Sequence, residues 1–112
     1  MLASLLKFRL EKGGYHVDHA RDGRMVKDYL ATREPDIIVS DIMMPYFSGI
    51  EMVDYLRNTL GKNTPVIIIS TAGSEANVLS AFEMGADDFV SKPVNPTELL
   101  VRVGKLLRTS GS

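Results

Sequence analysis

Two short runs of aliphatic residues, Ile37-Ile38-Val39 and Val66-Ile67-Ile68-Ile69, carry no polar alternation, and Pro35 and Pro65 stand just before them. A strand with water on one face alternates apolar and polar side chains, so an uninterrupted β-branched run implies a strand covered on both faces. Helical spacing surrounds these runs. Leu2, Leu5, Leu6 and Leu10 precede Gly13 and Gly14; Met25, Val26, Tyr29 and Leu30 form a second set; Ile50, Met52, Val53, Leu56 and Leu60 form a third, closed by Gly61. A fourth helix starts at Gly73 and Ser74 and runs through Val78, Leu79 and Phe82 to Gly85. Asn95 or Thr97 opens a fifth, carrying Leu99, Leu100, Val103, Leu106 and Leu107. Tyr15 to Ala20 alternates in part before the turn residues Arg21-Asp22-Gly23 and predicts a short strand; Ala86 to Ser91 predicts a last one.

Buried strands alternating with amphipathic helices lead to right-handed βαβ units, hence an α/β fold with a parallel sheet and helices on both faces. The length of 112 residues suits one such domain. We read residues 1–108 as that domain and the small, polar residues 109–112 as a linker or tag remnant. A net charge of −1 supplies no basic field, which argues against direct nucleic-acid binding and against an anionic membrane surface. The absence of cysteine excludes a disulfide framework and fits a cytoplasmic location. No apolar run approaches the length of a membrane span.

In open parallel sheets, ligands gather at the carboxyl ends of the strands. Asp41, Ser70 with Thr71, and Lys92 stand at the ends of three different predicted strands. A carboxylate, a hydroxyl and an ammonium meeting at one rim suit phosphoryl transfer: the carboxylate can attack phosphorus, and the other two can hold its oxygens. His16, Asp18 and His19 do not form a comparable set, because positions 16 and 18 share a strand face that 19 does not. Met43 and Met44 read as gap-filling or partner-facing side chains.

Three segments resemble the receiver domains of two-component response regulators in order and spacing. They are Asp41-Ile-Met-Met-Pro45 with Gly49, Pro65-Val-Ile-Ile-Ile-Ser70, and Gly85-Ala-Asp-Asp-Phe-Val-Ser-Lys92-Pro93. The resemblance implies a flavodoxin-like three-layer αβα fold and a signalling domain that is not an enzyme. By it, Asp41 is the phosphoacceptor, Lys92 contacts the phosphoryl group, Phe89 is the switch aromatic and the peptide before Pro93 is cis. Mg²⁺ would be held in part by Asp41 and the backbone carbonyl of Met43, and the partner would be a sensor histidine kinase or phosphotransfer protein. The switch hydroxyl falls to Ser70, five positions after Pro65 and twenty-two before Lys92, with Thr71 as the fallback. Asp87 and Asp88 resemble a turn motif of the family without a catalytic role. The segment from Gly85 through Leu107 is most similar to receivers of regulators that carry a winged-helix DNA-binding domain.

One departure is large. Receivers begin with a hydrophobic strand ending in acidic residues, and this sequence starts at the helix that follows it. The missing carboxylates would supply most of the Mg²⁺ ligands, so weak metal binding and weak self-phosphorylation are expected. The missing strand would leave sheet edges open, which predicts self-association. The alternative is a receiver that is not phosphorylated and serves as an interaction module.

Overall fold

A computed structural model describes residues 2–42, 48–71 and 75–110 of the chain. Among these described residues, five helices and three strands follow one another as α1 (Leu2–Lys12), α2 (Gly23–Thr32), β1 (Ile38–Asp41), α3 (Gly49–Asp54), β2 (Val66–Ser70), α4 (Glu75–Met84), β3 (Asp88–Ser91) and α5 (Pro96–Ser110). Residues Tyr55–Thr59 prolong α3 as a π-helical turn, with the Leu60 N–H donating to Tyr55 O. The helix starts follow capping chemistry. Asp22 accepts from the amides of Arg24 and Met25, Ser48 and Glu51 form a reciprocal capping box, and Asn95 accepts from Thr97 and Glu98 with Pro96 at the first helical position. Asn95, not Thr97, therefore opens the last helix, which continues through Ser110.

The sheet is parallel with order β1-β2-β3, and Ile38 stands opposite Val66 while Ile67 stands opposite Asp88. Because every strand runs the same way, Asp41, Ser70 and Ser91 end it on one side. Two apolar clusters cover its faces. Ile38, Val66 and Ile68 pack with Val26 and Leu30 of α2, Met52, Val53 and Leu56 of α3, and Ala81 of α4. Ile37, Val39, Ile67, Ile69 and Val90 pack with Leu6 and Leu10 of α1 and Leu99 and Val103 of α5. This is the three-layer αβα arrangement that the uninterrupted runs call for.

The strand expected over residues 15–20 does not form. Those residues pair with no strand among the described residues, whose sheet holds β1, β2 and β3 alone. Side-chain contacts hold the segment instead. Asp18 accepts from the Tyr29 hydroxyl at 2.8 Å and lies 3.4 Å from the Arg33 guanidinium and 3.3 Å from His16. The Tyr29 bond, helped by His16 and Arg33, holds the Asp18 carboxyl below its ordinary value, and the same bond raises the Tyr29 phenol. A period of two reports which face a residue takes, but a strand also needs a neighbour along its edge.

Burial differs sharply between the two apolar strands. Every residue of β2 is buried, whereas in β1 only Ser40 is buried and Ile38, Val39 and Asp41 are partly exposed. Ile68→Ala should therefore cost about 2–5 kcal/mol, and Ile38→Ala less than half of that. Equilibrium urea unfolding of the two variants checks this; equal losses would mean that β1 is as enclosed as β2.

Candidate functional site

Asp41 and Lys92 reach each other from opposite sides of β2. Asp41 closes β1, and Lys92 follows β3, its amide donating to Ser70 O at 2.8 Å. That backbone bond sets the end of β3 against the end of β2, and the Lys92 Nζ then lies 2.8 Å from Asp41 Oδ1. The side chains are 34% and 43% exposed respectively, so the pair faces solvent. An ion pair at such exposure contributes about 0–1 kcal/mol to stability, so its position at the strand ends says more about chemistry than about folding. The Lys92–Pro93 peptide is cis.

Of the two candidate hydroxyls, Ser70 is buried at 3% exposure at the end of β2, in register with Ser91, while Thr71 lies past the strand and is exposed. Phe89 projects from β3 at 38% exposure and meets Phe82 of α4 edge to face, with ring centroids 6.0 Å apart. Met43, whose carbonyl was expected to ligate Mg²⁺, lies outside the described residues.

The described donor set does not fit a divalent cation. Asp41 supplies one carboxylate, already neutralised by Lys92, and no group of three His, Cys, Asp or Glu side chains among the described residues could hold a metal. Mg²⁺ takes octahedral oxygen coordination, commonly through one or two carboxylates with waters and substrate phosphates, so one paired carboxylate is a poor start.

Two supports of the site act through contacts that no local sequence signal reveals. Gly49 donates its amide to Ile42 O at 2.8 Å, and a Cβ at this position would come within 2.6 Å of Asp41 O and 2.9 Å of the Ile42 Cα. Only a glycine lets α3 approach the end of β1 this closely. Arg57, in the π-helical turn, donates to Gly85 O, Lys62 O and Asp87 Oδ2, while Asp87 also accepts from the Val66 amide. It thus ties the starts of β2 and β3 together at the end opposite to the Asp41–Lys92 pair. Asp88 accepts two bonds from Arg102 of α5, which raises the guanidinium's affinity for its proton.

A family model described as the response regulator receiver domain matches residues 1–104. The chain belongs to that family. It is 41% identical to the transcriptional regulatory protein CpxR of Escherichia coli K12 over 109 residues, covering 97% of this chain and 46% of that protein. It is 34% identical to the phosphate regulon transcriptional regulatory protein PhoB of Pseudomonas aeruginosa over 111 residues, covering 98% of this chain and 48% of that protein. The chain thus spans just under half the length of these regulators. Among solved structures, the Francisella response regulator 1452 receiver domain superposes with a TM-score of 0.89 at 36% identity, covering 97% of this chain and 89% of that one. The receiver domain of a signal transduction histidine kinase from Syntrophus aciditrophicus gives 0.85 at 34% identity, covering 96% and 83%. The fold is therefore the flavodoxin-like receiver fold, and such domains are signalling domains rather than enzymes. No helix among the described residues is long and apolar enough to cross a membrane.

Gly49→Ala should cost roughly 1–3 kcal/mol by forcing α3 away from β1 and should move the backbone amide signals of Asp41 and Ile42. Thermal unfolding and amide NMR spectra test both; a variant with unchanged stability and unchanged Asp41 signals would contradict the close approach.

Proposed function

We propose that this receiver domain accepts a phosphoryl group on Asp41 from a sensor histidine kinase or phosphotransfer protein in the cytoplasm. The observation that carries the reading is the 2.8 Å contact between Lys92 and Asp41 at the carboxyl rim of a parallel sheet. In the transfer, an Asp41 carboxylate oxygen forms a bond to phosphorus while the bond to the donor's nitrogen breaks, and the electron pair leaves with the donor. Lys92, freed from the neutralised carboxylate, pairs with a phosphoryl oxygen, and the Ser70 hydroxyl bonds another, with Thr71 as the fallback. Phe89 is the aromatic whose position reports the change to the face formed by α4, β3 and α5. Residues 1–108 form the working unit.

Mg²⁺ binds weakly, since the described donors do not make a site for it. Phosphorylation by small donors is accordingly slow. A second reading, favoured by the half-open β1 and by that donor set, is an interaction module that is not phosphorylated and that associates, with itself included, through unpaired strand edges.

Acetyl phosphate, with and without Mg²⁺, separates the two readings by intact mass. The phosphoacceptor reading expects a gain of one phosphoryl group in the wild type, lost in Asp41→Asn and changed little by the metal. A wild type indistinguishable from Asp41→Asn with acetyl phosphate and with beryllofluoride leaves the interaction module alone.

A further inference from the structure

Helix α3 touches the rim at one end and the far side of the molecule at the other. At its start, Gly49 donates to Ile42 O at 2.8 Å, and a Cβ on Gly49 would come within 2.6 Å of Asp41 O. Along its body, Met52, Val53 and Leu56 are fully buried. A helix so embedded moves as a unit, because a close-packed interior transmits displacement and does not absorb it. At its far end, the π-helical turn Tyr55–Thr59 presents Arg57, whose side chain is only 15% exposed. Irregular turns of this kind recur at functional sites.

Arg57 grips α4 where α4 stops. Its Nε and Nη2 both donate to Gly85 O, at 3.2 and 2.9 Å, Nη1 donates to Lys62 O at 3.0 Å, and Nη2 also donates to Asp87 Oδ2 at 3.1 Å. The stem of Arg57 lies flat on Gly85, where a Cβ would come within 3.0 Å of Nε and 3.1 Å of Cγ. The Gly85 amide in turn donates to Ala81 O and Phe82 O in the last turn of α4. The helix has thin apolar attachments besides. Of residues 76–84, Ala81 alone is buried, and Leu79, Phe82 and Met84 are exposed. The guanidinium is therefore a main hold on this end of α4.

We propose that Arg57 is a positioning residue that passes displacements of the Asp41–Ile42 backbone, carried by α3 as a rigid rod, to the C-terminal end of α4 and the entry to β3. The route includes neither Ser70 nor Phe89. Two N–H groups on one carbonyl fix direction as well as distance, which a point charge does not, and packed side chains with rigid elements are what carries coupling between distant sites. Asp87 steadies the receiving end: its carboxylate accepts from the Val66 amide at 2.8 Å, and its own amide donates to Val66 O. A shift of Arg57 thus moves α4 against a β2 that stays in place. The relay goes beyond the phosphoacceptor reading and does not need it, since any event that shifts the end of β1 travels the same way.

The test uses the whole chain without a phosphodonor and compares amide NMR signals. Gly49→Ala supplies the displacement at the Asp41 end. With Arg57 in place, it should move the signals of Gly85 and Ala86 as well as those of Asp41 and Ile42. Arg57→Met keeps an apolar stem of similar length and removes the guanidinium. In that background, the changes caused by Gly49→Ala should persist at Asp41 and Ile42 and fall below about half at Gly85 and Ala86. Arg57→Lys restores the charge without the fork and should not recover the far response. A residue that only stabilises would lower the unfolding midpoint and leave the far response at full size. Undiminished transmission in Arg57→Met therefore overturns the proposal, and so does a Gly49→Ala protein whose Gly85 and Ala86 signals stay where they were. If Gly49→Ala does not fold, Ser48→Ala, which removes the capping box, displaces the same end more gently. If Arg57→Met does not fold, Arg57→Lys decides by the same comparison. Acetyl phosphate labelling reports on Asp41 separately, so either reading can fail alone.

Discussion

The structure depends on the burial of β2 between two helical layers. Its five residues are all inside, and α1 and α5 on one face and α2, α3 and α4 on the other find their apolar partners across the sheet it centres. A parallel sheet with this covering must place all its strand carboxyl ends on one side. The meeting of Asp41 with Lys92, from positions far apart in the chain, is a consequence of that geometry. No separate recognition between the two side chains is needed to bring them together, and at their exposure their attraction is too weak to shape the fold.

The same constraint explains what the sequence made legible. Runs without polar alternation read as doubly covered strands, and β1 and β2 lie where those runs are; rim residues follow once the strand ends are known, so Asp41, Ser70 and Lys92 could be named together. Other features needed partners distant in sequence. Residues 15–20 have a strand's periodicity and no strand, because periodicity carries no information about who lies alongside. Ala86 and Asp87 stay outside β3, since Asp87 turns to the Val66 amide and Arg57. Arg57 looks like any basic residue on a helix until its carbonyl partner Gly85, 28 positions away, is seen. Gly49 was visible as part of a motif, but its reason, a contact that would leave no room for a Cβ, is a matter of how α3 meets β1.

Family membership and local chemistry pull in different directions at this site. The family binds Mg²⁺, and the described residues bring the Asp41 carboxylate against Lys92 without carboxylates enough for the ion.

Zero-length carbodiimide coupling, read by peptide mass spectrometry, tests the convergence of the rim most directly, because it joins an amine to a carboxylate only where the two touch. An amide between Lys92 and Asp41 is the predicted product, formed alongside one between Lys62 and Glu34, which are also in contact and serve as an internal control. Coupling of Lys62 to Glu34 with no trace of Lys92 joined to Asp41 would contradict the account.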